Sequence, residues 1–271
     1  MDIRKTGIIG YGSMGRMLLN KFAESGMFDR DSLFVANRTA SKLEEAKDIA
    51  RISTNKETAS SCRIVFICVR PTELRAVLEE ICPVISEDTL LVSLNGSITF
   101  EQIRKIYKGK AAKVIPSVTA EINRSQTLIC FNELADSEDR EILRSLLGII
   151  GNVIELPEAE MGMGSELVSC MPGFIASVFD VICRSAKKHT EIPPEDIVDM
   201  VLKTMTATGE LMLSSGMSFS DVVGRVATKG GITEVGSEVI YDMFPETADE
   251  IFIKTLEKRR LTAEAAEKSF G

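Results

Sequence analysis

The feature that most constrains this chain is an alternation. Between residues 5 and 156, short β-rich apolar runs are separated by stretches of helical period. The runs are KTGIIG (5–10), SLFVAN (32–37), RIVFICV (63–69), TLLVSL (89–94), AKVIPS (112–117), TLICF (127–131) and NVIEL (152–156). The first four suit strands covered on both faces by helices. Met14, Leu18 and Phe22 recur at fourfold spacing and predict a helix over 14–25. A further helix is expected to begin near Thr99, with Thr99 and Gln102 forming a capping box. Such alternation predicts a parallel sheet with right-handed crossovers. After about residue 158 the strands stop. Residues 174–188 carry Phe174, Ile175, Val178, Phe179, Ile182 and Cys183, so that helix is apolar around most of its circumference and belongs in a core or an interface. A second helix is expected from IPPED to about Ser214, and a charged, amphipathic one over 246–268.

Within that frame, GIIGYGSMGRM places Gly10, Gly12 and Gly15 at G-x-G-x-x-G spacing, between the first strand and the first helix. The pattern alone is weak, but in this context it becomes a dinucleotide hypothesis. Gly10 would make the tight turn, Gly12 would leave room for a pyrophosphate, and Gly15 would let helix and sheet pack closely. The helix N-terminus offers free N–H groups to the phosphates. The second strand runs into ANRTASK. A free ribose 2′-hydroxyl usually meets Asp or Glu at this point, whereas here stand Asn37, Arg38 and Thr39. A guanidinium can grip a 2′-phosphate bidentately, so NADP(H) is expected over NAD(H). Val69, Arg70 and Pro71 follow the third run, where open α/β sheets bind ligands; a proline that merely starts the next helix is the equal alternative. The fold class expected is α/β: an N-terminal Rossmann-type doubly wound sheet over residues 1–157 and an all-α domain over 158–271.

Bulk properties narrow the partners. The net charge of −8 argues against nucleic acid. No run of about 18 apolar residues is evident, so no membrane span is expected. No basic-then-apolar leader is evident either, and a cytoplasmic protein is expected. The 6 cysteines form no C-x-x-C pair and are expected to be reduced, packing as small apolar side chains. With His189 the single histidine, at what reads as an exposed helix end, no metal site is expected.

One further stretch, RVATKGGITEVG (225–236), sits in a helical region yet holds paired glycines beside a threonine. Either the helix stops and restarts there, or a ligand approaches the backbone. IGYGSMG, ANRT, VRP, SLNGSIT, KVIPSVTAE, SCMPGF and RVATKGGITEVG, in this order, resemble the pyrroline-5-carboxylate reductase family nearly end to end. The resemblance implies an NAD(P)H-binding Rossmann domain and a C-terminal helical dimerisation domain. It also implies a homodimer or larger homo-oligomer through those helices, with a small-molecule substrate near the interface. By position it assigns Gly10, Tyr11, Gly12, Ser13, Met14, Gly15, Asn37, Arg38, Thr39, Val69, Arg70, Pro71 and Ser117 to the cofactor. It assigns Ser169, Cys170, Met171, Lys229, Gly230, Gly231, Ile232 and Thr233 to the substrate, with Thr233 as the catalytic hydroxyl donor.

Departures are equally visible. Ile232 stands where the family has the first of two threonines, Lys229 replaces a proline, Met171 adds bulk, and Ser117 replaces an asparagine. These changes also resemble the divergent late competence (ComER) branch. Reduction of a protonated cyclic imine needs orientation and exclusion of water more than acid–base residues, which fits a chain with no evident His–Asp or Ser–His arrangement. The expected activity is NADPH-dependent reduction of pyrroline-5-carboxylate to proline. A different imine or ketone, or a binding-only regulatory protein, are the alternatives.

Overall fold

In the computed structural model, which describes residues 5–270, the expected alternation becomes an eight-stranded sheet of order β3-β2-β1-β4-β5-β6-β7-β8. The strands are β1 (Thr6–Ile9), β2 (Leu33–Ala36), β3 (Arg51–Ile52), β4 (Ile64–Ile67), β5 (Leu90–Ser93), β6 (Ala111–Ile115), β7 (Ser125–Phe131) and β8 (Gly151–Glu155). All neighbours pair in parallel except β6 and β7. Only a short 3-10 turn, Val118–Ile122, joins those two. That link is too short for a crossover, so β7 returns antiparallel. The two-residue strand β3 was not evident in the sequence. Around the sheet lie α1 (Ser13–Glu24), α2 (Asn55–Ser61), α3 (Pro71–Ile81), α4 (Phe100–Arg104) and α5 (Ser137–Gly148). The Thr99–Gln102 capping box at the start of α4 is present with both of its bonds.

Successive strand residues point to opposite faces and build two cores. Ile8, Val35, Phe66 and Val92 pack with Leu18, Phe22 and Leu143 on one face. Ile9, Phe34, Val65, Ile67 and Leu91 pack with Leu74, Leu78 and Ile103 on the other. Strands β1, β2, β4, β5 and β6 are therefore buried on both sides, which is why they read as continuous apolar runs, whereas the edge strands β3 and β8 are partly exposed.

The chain divides into two compact units. The first comprises the residues up to Pro172 together with those from Leu256 onward; the second is Gly173–Thr255. The later helices are α6 (Met161–Ser165), α7 (Met171–Ala186), α8 (Pro194–Ser215), α9 (Phe219–Val226) and α10 (Ile232–Phe270). The chain caps them as residue chemistry dictates. Pro194 sits in the first turn of α8, Gly216 ends it at φ +68°, and Ser218 with Asp221 boxes the start of α9. The last helix runs through Pro245 rather than starting after it. The expected start near residue 246 is thus corrected: one missing N–H is tolerated inside a 39-residue helix.

A second correction concerns apolar length. The helical run Glu158–His189 contains an 18-residue window of mean hydropathy 1.6, long and apolar enough to cross a membrane by length and composition. Glycines and serines broke up the apolar run in the sequence without lowering its average. Glu166, inside that stretch, is nevertheless 1% exposed and paired with Arg259 at 2.7 Å, a protein rather than a lipid environment. Among the described residues of the second unit, Ile197 is the buried apolar side chain, whereas Leu213, Phe219 and Met243 are 89%, 78% and 73% exposed. Helices that turn so much apolar surface outward require a covering partner.

Candidate active site

The strand order reverses between β1 and β4: the chain moves outward from β1 to β2 and β3, then returns to β4 on the other side. A crevice opens beyond the carboxyl ends at such a point. Here it is a cleft of about 760 Å³ that brings together Gly10, Tyr11 and Gly12, then Asn37, Arg38 and Thr39, then Cys68, Val69 and Arg70. A second hollow, lined by Tyr11, Gly12, Ser13, Arg16 and Lys42 and also by Glu44 and Glu45, adjoins it.

The three glycines divide the labour. Gly10 has φ +101°, and a methyl there would lie 2.8 Å from the Cys68 backbone, so turn and strand spacing both require glycine. A methyl on Gly15 would lie 2.0 Å from the Gly10 carbonyl, which fixes the helix against the strand. A methyl on Gly12 would meet nothing within 4 Å. Internal packing therefore does not explain Gly12, whose side is open. Gly12 is also the N-cap of α1, with no side-chain cap and no acidic residue in the first turn. Its first amides face a space free of competing carboxylates from this helix, which suits a pyrophosphate. The cleft thus fits a dinucleotide on its own geometry.

Asn37 serves as a brace. Its Oδ1 accepts from the Tyr11 backbone N–H at 3.0 Å and its Nδ2 donates to the Thr39 carbonyl at 3.0 Å, tying the ends of β1 and β2 together. Arg38 is 82% exposed along its side chain and bonds Glu73 at 2.9 Å. Arg70 is the N-cap of α3, and Pro71 opens that helix, so the structural alternative for Pro71 holds as well as its place at a strand end. Arg70 meets the same carboxylate at 3.0 Å. The hydrogen bond from Arg70 chiefly, with the charges of Arg70 and Arg38, holds the Glu73 carboxyl below its usual range. Glu73 was missed in the sequence. The i,i+3 spacing to Arg70 was readable, but the contact to Arg38 spans 35 residues.

Ser117 follows β6. It is 2% exposed and caps the 3-10 turn after β6; its backbone N–H donates to Ser125 Oγ at 3.0 Å. It is not among the residues lining the cleft. Ser169 and Cys170 fall in a π-helical turn, Glu166–Cys170, and Met171 opens α7. Pro172 has no N–H for the Val168 carbonyl, which removes one α-helical bond at this place. Beneath the turn, Arg259 donates to Glu166 at 2.7 Å and to Ser165 at 3.0 Å, while Glu166 Oε2 is buried with no partner. Burial, then the Glu166 charge, raise the Cys170 thiol.

In the second unit, the glycine pair forms the entry to α10. Gly230 has φ +72°, its N–H donates to Glu234 at 2.5 Å, and the Gly231 N–H donates to the Thr228 carbonyl at 2.7 Å. Lys229 and Thr233 are exposed, and Ile232 is 94% exposed. A hydrophobic side chain so placed adds nothing to the packing of its own unit.

Two family models match the chain. Residues 5–96 match the family described as NADP oxidoreductase coenzyme F420-dependent, and residues 158–262 match pyrroline-5-carboxylate reductase dimerisation. The fold is similar to the NADP-bound pyrroline carboxylate reductase of Plasmodium falciparum, with TM-score 0.83 and 20% identity, covering 100% of both chains. It is likewise similar to the enzyme of Coxiella burnetii, with TM-score 0.84 and 22% identity, over 98% of each. ComE operon protein 4 of Bacillus subtilis is 24% identical over 98% of this chain and 99% of its own. Pyrroline-5-carboxylate reductase 3 of the same organism is 30% identical over 270 residues, 98% of this chain and 99% of that one. With a glycine turn open to a dinucleotide at one end and a dimerisation region at the other, the chain belongs to the pyrroline-5-carboxylate reductase family.

Proposed function

We propose that the protein reduces pyrroline-5-carboxylate to proline with NADPH, as a homodimer or larger homo-oligomer assembled through its C-terminal helices. At the level of class it is an NAD(P)-dependent oxidoreductase acting on a C=N bond, the chemistry named for its relatives. The observation that carries the proposal is Gly12: its free side opens on a cleft whose other wall presents Arg38 and Arg70. Bound NADPH would supply the hydride. Gly10, Tyr11, Gly12, Ser13, Met14 and Gly15 would hold the pyrophosphate, with Asn37 keeping the turn in register. Arg38 and Thr39 would face the 2′-phosphate, and Val69, Arg70 and Pro71 would border the same cleft. Gly230 and Gly231 would border the substrate carboxylate, the Gly230 amide exchanging its Glu234 bond for it while the Gly231 amide stays with Thr228, with Lys229 beside them and Thr233 donating its hydroxyl. Ser169, Cys170 and Met171 would border substrate and exclude water. Assembly is supported by the match of residues 158–262 to a dimerisation family and by the exposed apolar side chains of that region.

A second reading is favoured by Ile232, which brings no hydroxyl where the family motif has one, and by the likeness to ComE operon protein 4. A site built to bond a polar group loses much when that bond is missing. The true substrate would then be another imine or ketone, or the protein would bind nucleotide without turnover. The test is NADPH oxidation with pyrroline-5-carboxylate, imine analogues and 2-oxo acids. Turnover of the first supports the proposal. Turnover of another compound alone replaces the substrate, and tight nucleotide binding without any turnover removes the enzyme.

A further inference from the structure

The cleft holds a charge arrangement that the nucleotide reading does not use. Glu73 sits in the first turn of α3, three residues after the N-cap Arg70, and its carboxylate is shared. Oε1 accepts from Arg70 Nη2 at 3.0 Å and from Arg38 Nη1 at 2.9 Å, and Oε2 accepts from Arg70 Nε at 3.3 Å. A carboxylate gripped by two guanidiniums is what a phosphate in the same place would look like to them. Lys42 and Glu80 line the same cleft, so its charged residues are three cations and two carboxylates.

We propose that Glu73 is a specificity-determining residue: it occupies the Arg38 guanidinium that a ribose 2′-phosphate needs, and so narrows the preference of this cleft for NADPH over NADH. The inference rests on the reading of the cleft as a dinucleotide site. A dianionic phosphate can reach Arg38 only by displacing the Glu73 carboxylate or by lying beside it. Either way, like charges are brought together in a partly shielded space. NADH carries no charge at that position and meets no such penalty. The ion pairs are solvent-accessible, with Arg38 and Arg70 side chains 82% and 75% exposed, so they add little to stability and can be exchanged. For the same reason Glu73→Gln leaves the fold intact while removing the charge.

The experiment measures dissociation constants of NADPH and NADH by titration calorimetry for the parent, Glu73→Gln, Arg38→Ala and the double variant. In Glu73→Gln the ratio Kd(NADH)/Kd(NADPH) is expected to rise about tenfold, through tighter NADPH binding and nearly unchanged NADH binding. The rise should shrink between about 50 mM and about 500 mM salt, since screening removes the repulsion. It should also shrink when Arg38 is alanine, because the competition for that guanidinium is then gone and only the direct repulsion remains. A ratio within about twofold of the parent in Glu73→Gln, or a rise that is undiminished without Arg38, overturns the proposal. If the parent binds neither nucleotide, the reading of the cleft falls as well. If it binds NADPH and the ratio does not respond, only the role of Glu73 falls.

Discussion

Substituting the three glycines of the turn one at a time separates fold from function. Gly12→Ala is the decisive change. Its backbone, at φ −91° and ψ −164°, is one that alanine adopts freely, and the added methyl would touch nothing within 4 Å. Two small stability terms then oppose each other. Restricting the unfolded chain stabilises by about 0.4–1 kcal/mol. Losing glycine at an N-cap costs up to about 1 kcal/mol. The net effect is near zero, and the melting temperature should move by no more than about 2 °C. Binding is another matter, because the methyl occupies the approach to the first amides of α1. Loss of even two charge-assisted bonds to the pyrophosphate, at about 1.5–3 kcal/mol each, weakens NADPH binding by at least about a hundredfold. Gly15→Ala should show the opposite profile. A contact of 2.0 Å to the Gly10 carbonyl forces the helix off the strand, and overpacking of this kind costs about 1–3 kcal/mol or more. Gly10→Ala adds backbone strain at φ +101° to its clash with Cys68 and should be at least as unstable. Thermal melting and calorimetric titration with NADPH read both quantities. A Gly12→Ala protein that binds NADPH within about twofold of the parent would refute the reasoning, since the open side of Gly12 would then face no ligand.

Further outcomes follow from the same geometry. Arg38→Ala should weaken NADPH by about 1–3 kcal/mol and leave NADH nearly unchanged; equal losses for both would remove the 2′-phosphate assignment. Ile232→Thr restores the hydroxyl at a position 94% exposed, so the melting curve should hold while kcat/KM with pyrroline-5-carboxylate rises; no gain means that hydroxyl is not limiting. Arg259→Ala strips the partner from a Glu166 that is 1% exposed and should cost about 3 kcal/mol in chemical denaturation, because a buried carboxylate is left uncompensated. Burial pushes the Cys62 thiol up to about 12 and the Cys130 thiol up to about 11, so the folded state favours their neutral forms. Stability is therefore full below the ordinary thiol range and declines as pH rises from about 9 toward 11 and 12; each group contributes a slope approaching 1.4 kcal/mol per pH unit, and Cys62→Ala should flatten the decline.

The sequence by itself determined what is local or periodic. Runs buried on both faces announced the strands, and fourfold spacing announced α1. Thr99 and Gln102 announced a cap, and three glycines at fixed spacing announced a turn with room above it. Each of these signals needs only neighbours within a few residues. What the tertiary structure alone decided involves pairings across the chain. It turned β7 antiparallel after a short link, committed Asn37 to bracing β1 against β2, and buried Ser117 at the cap of the turn after β6. It also carried α10 through Pro245, where local chemistry pointed to a start, because one lost hydrogen bond is small beside a long continuous helix. Arg38 was legible in the sequence as a phosphate contact, but Glu73, 35 positions away, was not. They meet because β2 and β4 flank β1, so the segments that follow both strands emerge at the same end of the sheet. Proximity of that kind is set by strand order, which no local pattern of residues encodes.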